Sequence, residues 1–139
     1  MRKLIFAKDE TNQYIIADHN DEKLAVIART LLNGPVVVKL KELLENLDQL
    51  ADNYHIVSNP KDRFQFSMMK TKHNYIILSV TDQDEPLDED NPLTIDMSRT
   101  VFLDLIDEWE ELQDLENNKE IYLTRHEDVY TLTQDLTDL

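Results

Sequence analysis

The sequence contains no cysteine, which excludes disulfides, thiolate metal sites and cysteine nucleophiles together. It contains one glycine, whereas loops that bind phosphate groups use several so that the backbone can approach the ligand. No apolar run approaches the roughly 18 residues of a membrane span. The apolar run near the start stops at Lys8 and Asp9, which predicts a strand rather than a secretory signal. These absences favour a cytoplasmic protein.

Positive charge is scarce in the second half of the chain. Residues 1–81 carry 11 basic and 10 acidic side chains, a balance of +1. Residues 82–139 carry 19 acidic side chains and only Arg99, Lys119 and Arg125 as basic ones, a balance of −16. The net charge of −15 argues against nucleic acid and anionic membranes as partners, because both are bound through basic patches.

Length and composition predict one domain, spanning residues 1–139. A chain of 139 residues with 41% apolar content can bury a single core of ordinary size. No internal repeat or change in composition indicates a boundary between two domains.

The first half predicts a β-hairpin followed by two helices. Residues 3–9 and 13–19 are β-prone runs separated by a polar turn, and residues 20–34 have helical periodicity. We expect Gly34 to end that helix in the left-handed conformation. Residues 36–38 are β-branched and fit either a short strand or a helix opened by Pro35.

The second half predicts strands over residues 54–59, 63–69 and 74–82, a helix over 98–118, and a closing hairpin. Strands joined by short turns pair antiparallel. The order ββα(β)αβββαββ therefore predicts an α+β fold, with a mainly antiparallel sheet and about three helices packed on one side.

Metal and catalytic motifs are absent from the sequence. A calcium loop starting at Asp82 would need a glycine where Leu87 stands and a glutamate where Leu93 stands. The four histidines are scattered, so no zinc site is expected. The trio from His126 to Asp128 is typical of a polar hairpin turn, and no serine has the flanking glycines of a nucleophile elbow. We expect neither a cofactor nor enzymatic activity.

The helix predicted over residues 98–118 has two contrasting faces. On a helical wheel, one arc is apolar and is expected to pack on the sheet: Val101, Phe102, Leu105, Ile106, Trp109 and Leu112. The opposite arc is acidic: Asp104, Asp107, Glu108, Glu111 and Asp114. No basic residue occurs between Thr100 and Asn118, although like charges at this spacing cost a few tenths of a kcal/mol per pair.

The acidic arc has two possible interpretations. One is a solvated outer face that serves solubility. The other is a docking surface for a basic protein, attracted over long range and held by ion pairs. In the second interpretation the acidic stretch that precedes the helix extends the surface through Asp84, Glu85, Asp88, Glu89 and Asp90.

The C-terminal third resembles a known layout. The segment LTIDMSRTVFLDLIDEWEELQDLENNKEIYLTRHEDVYTLT is similar to small acidic immunity proteins of bacterial toxin systems, in which a strand leads to a helix with a Leu…Trp-Glu-x-Leu face and then to a hairpin. The resemblance implies a cytoplasmic protein that neutralises a cognate toxin by covering its active site or the surface nearby.

The sequence thus predicts an inhibitor that binds a basic toxin, such as a nuclease, through its negative face. The alternatives are a non-inhibitory interaction module or accessory subunit, and a DNA mimic that acts on a host defence protein. The sequence leaves the oligomeric state open.

Overall fold

The computed structural model describes residues 2–50, 54–57, 61, 63–71, 75–82, 93–127 and 129–134. Within these ranges the elements in chain order are β1 (Arg2–Lys8), β2 (Tyr14–His19), α1 (Glu22–Leu32), α2 (Gly34–Glu45), a short 3-10 helix (Leu47–Gln49), β3 (Tyr54–Ile56), β4 (Phe64–Lys70), β5 (Tyr75–Asp82), β6 (Leu93–Ser98), α3 (Arg99–Asp114), β7 (Ile121–His126) and β8 (Val129–Thr133).

These elements fall into two compact units. Unit 1 combines residues 1–32 with residues 104–139, and unit 2 comprises residues 33–103. Each unit has its own four-stranded sheet: sheet A in unit 1 has the order β2-β1-β7-β8, and sheet B in unit 2 has the order β3-β4-β5-β6. That residues 1–139 form one domain stays a prediction.

In unit 1 the two ends of the chain meet in sheet A. β1 pairs antiparallel with β2 on one side and with β7 on the other. Alternate residues of β1 are fully buried, and the register places Leu4 opposite Leu123 and Phe6 opposite Ile121. Because side chains alternate between the faces of a strand, these four residues share the core face. α1 contacts β1, β2 and β7.

The link between α1 and α2 corrects the sequence prediction for Gly34. Gly34 does not end α1 in the left-handed conformation; it is the first residue of α2, and its φ is not positive. The side chain of Asn33 accepts a hydrogen bond from the Val36 N–H at 3.4 Å, as an N-cap does. Pro35 lies in the first turn, where its missing N–H costs nothing. Residues 36–38 are therefore helical.

Sheet B of unit 2 also consists of antiparallel pairs. Phe66 and Met68 of β4 lie opposite Val80 and Leu78 of β5, and all four side chains are buried. The strand predicted over residues 63–69 is confirmed as β4. Strand β6 was not part of the order derived from periodicity, and it forms the edge of sheet B beside β5.

The predicted α+β class is confirmed. All six strand pairings are antiparallel, and three α-helices accompany the two sheets in the described ranges. No helix within these ranges has the length and apolar character needed to cross a membrane.

Candidate protein-binding surface

The helix α3 forms because its sequence starts with a cap and then avoids helix breakers. The hydroxyl of Ser98 accepts a hydrogen bond from the Val101 N–H at 3.1 Å, which satisfies one of the free donors of the first turn. No glycine or proline follows until the helix ends at Asp114. Glu116 then has a φ of 49°, the left-handed conformation common after a helix end.

The apolar side of α3 is buried as predicted. Phe102, Leu105, Ile106 and Trp109 are all buried, and the two ends of the arc are half-buried. In unit 1 the Trp109 ring centroid lies 4.7 Å from that of Phe6 and 5.9 Å from that of Tyr14, distances typical of favourable aromatic pairs. These contacts fix the rotation of the helix about its axis.

The opposite side of α3 carries the acidic arc, which we call the acidic face: Asp104, Asp107, Glu108, Glu111 and Asp114. All five residues are exposed, and all five belong to unit 1. Asp107 interacts with another group of the chain, so the face does not consist of five equivalent carboxylates. What these residues bind stays a prediction, whereas their exposure on one side of one helix is observed.

Glu108 differs from its neighbours on the acidic face. Partial burial raises the pKa of Glu108 above its usual value of 4.5, and the negative charges of Asp104 and Glu111 raise it further. A hydrogen bond from the backbone N–H of Leu132 in β8 acts on the same pKa in the opposite direction.

The other half of the predicted surface lies outside the described residues. Asp84, Glu85, Asp88, Glu89 and Asp90 belong to the range 83–92, which the structure does not describe. The structure thus brings together the five helix carboxylates, and the acidic face alone carries the argument that follows.

A buried ion cluster in unit 1 was not predicted. Asp21 is 6% exposed, and its carboxylate lies 3.1 Å from the Arg125 guanidinium and 3.6 Å from that of Arg2. Arg2 and Arg125 face each other across the β1–β7 pair, where two like charges would repel without Asp21. The cluster could not be predicted from the sequence, because it depends on the pairing of strands more than a hundred residues apart.

This cluster bears on the acidic face. Arg125 is one of three basic residues in the range 82–139, and its guanidinium contacts Asp21 rather than α3. One of the three positive charges in this range is therefore already paired with Asp21 in unit 1.

Comparison of the chain with family models, curated proteins and solved structures found no match. The function must therefore be argued from the chain itself.

The described residues contain no group of three histidine, aspartate or glutamate side chains placed to hold a metal ion. His126 is exposed, and Glu127 has a φ of 57° in the turn between β7 and β8, as a polar turn residue would. The third member of that trio, Asp128, lies outside the described ranges.

Proposed function

We propose that the protein is an acidic inhibitor that binds a basic protein partner through the acidic face, as an immunity protein binds its toxin. The observation that carries the proposal is the exposure of five carboxylates on one side of α3, within a stretch that has no basic residue from Thr100 to Asn118. A partner of nuclease type fits this face, since enzymes that act on polyphosphates carry basic surfaces.

The mechanism is electrostatic capture followed by occlusion. Clustered charge of one sign raises association rates with an oppositely charged partner, and the effect falls steeply with salt because the Debye length is only about 8 Å at physiological ionic strength. The helix fixes the backbone positions of the five residues, so that the spacing of their carboxylates is set before the partner arrives. Once bound, the protein covers the basic surface on which the partner depends.

The test reverses the charges on the acidic face. The triple variant changes Asp104, Glu111 and Asp114 to lysine; it leaves Asp107 and Glu108, which have contacts within the chain. The partner is purified from an extract of the source cell, as a basic protein that the immobilised parent retains at about 50 mM salt and releases at about 500 mM salt. We expect the parent to inhibit the partner's activity stoichiometrically, and the variant to associate at least about tenfold more slowly at low salt.

The control makes the same change in net charge elsewhere. Glu10, Glu42 and Glu45 are exposed and lie outside α3, so their replacement by lysine should leave association close to that of the parent. Equal inhibition by the parent and the α3 variant would show that the acidic face is not the docking surface. Binding that is insensitive to salt would instead favour the alternative of an interaction module that uses an apolar surface.

A further inference from the structure

Strand β6 forms a regular edge of sheet B in unit 2. Its six residues, Leu93–Ser98, all pair with β5 in one unbroken register. The opposite edge of the sheet, β3, has only three residues. Proteins protect an edge strand with lysine, proline, a bulge or a very short length, because its outward backbone groups can pair with another strand. The sequence of β6 contains no lysine and no proline, and Asp96 is its one charged residue.

Hydrogen bonds in sheet B show which way the backbone groups of each strand point. The N–H of Val57, which follows β3, donates to the Phe66 carbonyl at 3.0 Å, so the backbone of Phe66 in β4 bonds towards β3. Backbone groups of successive residues point to opposite sides of a strand. Ser67 therefore bonds towards β5, where its partner is Ser79.

The same alternation continues from β5 into β6. The backbone of Ser79 bonds to β4, so it does not bond to Thr94, which lies opposite it in β6. The N–H and C=O groups of Thr94, and with a period of two those of Asp96, therefore point away from β5. The hydrogen bond from the Thr71 N–H to the Tyr75 carbonyl at 2.9 Å, at the end of the β4–β5 pair, gives the same assignment.

These outward groups are open to another strand. Thr94 and Asp96 are both exposed, and no described residue forms a hydrogen bond with their outward N–H and C=O groups. We propose that β6 is a self-pairing edge. Two copies of the chain join their β6 strands antiparallel about a two-fold axis at Ile95, so that Thr94 of each copy pairs with Asp96 of the other.

Charge and hydrogen bonding select this register. Outward groups must face outward groups, so the two strands can be centred on Thr94, Ile95 or Asp96. Centring on Asp96 places two carboxylates directly opposite each other, which is unfavourable. Centring on Thr94 places Asp96 opposite residue 92, a proline that has no N–H to donate.

Centring on Ile95 avoids both penalties. Thr94 and Asp96 of each copy then exchange backbone hydrogen bonds with the other copy, four bonds in all. Thr94 and Asp96 lie on the same face of the strand, so each carboxylate lies across from a threonine hydroxyl that can donate to it. The strand thus complements an identical strand in both backbone and side chains, as a two-fold interface requires.

Salt separates this self-association from the capture of a basic partner. Each copy carries a net charge of −15, so two copies repel, and we expect the dimer to strengthen as salt rises. Binding of a basic partner through the acidic face weakens with salt instead. The inference does not depend on the proposed function, because β6 and the acidic face belong to different units.

Three variants of the full chain test the pairing. Thr94→Pro removes an outward N–H, a change that an edge strand tolerates, and it removes two of the four hydrogen bonds between copies. Thr94→Ser is the matched control, since it keeps the N–H and the hydroxyl. Asp96→Asn removes the charge alone. The molar mass is measured by sedimentation over a range of protein concentrations at about 50 and about 500 mM salt, and amide hydrogen exchange is followed by NMR.

We expect the Thr94 and Asp96 amides to exchange more slowly as the protein concentration rises, by about tenfold when nine-tenths of the chains are dimeric. The Ile95 amide bonds within sheet B, so it should stay protected at every concentration and in every variant that keeps its fold. Thr94→Pro should remain monomeric where the parent and Thr94→Ser are dimeric. Asp96→Asn should dimerise at lower concentration than the parent.

Three results would overturn the proposal. The first is exchange at Thr94 and Asp96 in the parent that does not depend on concentration. The second is dimerisation of Thr94→Pro at the same concentration as the parent. The third is protection of these two amides only after a basic partner is added, because the edge would then pair with a strand of another protein. If Thr94→Pro fails to protect Ile95, exchange in the parent and the shift in Asp96→Asn decide the question.

Discussion

Replacement of Asp21 separates two contributions that one carboxylate makes to unit 1. As the residue before α1, Asp21 accepts a hydrogen bond from the Lys23 N–H at 3.1 Å, which is a helix cap. The same carboxylate pairs with Arg125 at 3.1 Å and Arg2 at 3.6 Å. Asparagine caps a helix as well as aspartate does, so Asp21→Asn removes the ion pairs alone and Asp21→Ala removes both contributions.

The magnitude follows from the exposure of the partners. Removal of one member of a fully buried pair costs about 3–5 kcal/mol, whereas an exposed pair contributes about 0–1 kcal/mol. The Arg125 side chain is 17% exposed and that of Arg2 is 59% exposed, so the cluster lies between these limits. We expect Asp21→Asn to lower the free energy of unfolding by about 2 kcal/mol. Asp21→Ala should lower it by about 3 kcal/mol, since the cap adds about 1 kcal/mol.

Equilibrium unfolding in urea measures these differences. Trp109 is the only tryptophan and packs against Phe6 in the same unit as Asp21, so its fluorescence reports on the unit that the substitution affects. Arg2→Ala is the control, and we expect it to cost less than about 0.5 kcal/mol because Arg2 is exposed. If Asp21→Asn unfolds at the same urea concentration as the parent, or if Arg2→Ala costs as much, the ion cluster does not stabilise unit 1 as argued.

Two further predictions concern single residues at element ends. Gly34→Ala should raise the free energy of unfolding by about 0.5 kcal/mol, because Gly34 is helical and a Cβ there meets no atom within 4 Å. A lower free energy of unfolding, measured in urea, would mean that Gly34 needs a left-handed conformation after all. Hydrogen bonds from the Thr11 side chain and the Gln13 backbone lower the pKa of Asp9, so its contribution to stability is present above pH 3.8 and is lost as the pH falls through the folded-state pKa. Asp9→Asn should therefore be less stable than the parent at pH 7, and the difference should shrink as the pH falls below 3.8. Glu10→Gln as a control should show no such convergence.

Local periodicity was sufficient to predict most elements but not how they assemble. The N-terminal hairpin, α1, β4 and the closing hairpin all form close to the predicted ranges, because each is specified by neighbouring residues. The pairing of β1 with β7 and the division of the strands between two sheets depend on contacts between distant segments. No pattern in a single sequence encodes such contacts.

The error at Gly34 has a specific cause. Asn-Gly after a helical run indicates a helix end, while Asn followed by Gly-Pro also fits a cap and first turn. The sequence is compatible with both structures. The cap and first turn are favoured because a helix at this position buries Val36 and Val37 together with Leu40. The preference of β-branched residues for strands is weaker than this gain from burial.

The acidic face was predictable because the two sides of a helix depend only on the spacing of residues within that helix. Helical spacing alone separated the buried side of α3 from the acidic face, and the structure confirms both sides. The effect of the Leu132 backbone on the pKa of Glu108 was not predictable, because it depends on contacts between distant segments of the chain. The wheel therefore assigned Glu108 to the same surface as Asp104, although the two carboxylates have different surroundings.

Repulsion within the acidic face costs less free energy than the burial of apolar side chains on the other side of the same helix contributes. The five carboxylates form five pairs at three- or four-residue spacing, which together cost about 1–2 kcal/mol. Burial of a single large apolar side chain contributes about 1.5–3 kcal/mol, and α3 buries four of them. The helix thus forms in spite of its charge pattern.

The charge-reversal test is interpretable for this reason. With lysine at positions 104, 111 and 114, four of the five like-charge pairs become attractive and one stays repulsive. Lysine in the last turn also interacts favourably with the negative end of the helix dipole. The variant should therefore be at least as stable as the parent, and urea unfolding can confirm this before any binding is measured. A loss of inhibition by a variant that is no less stable must then come from the surface itself.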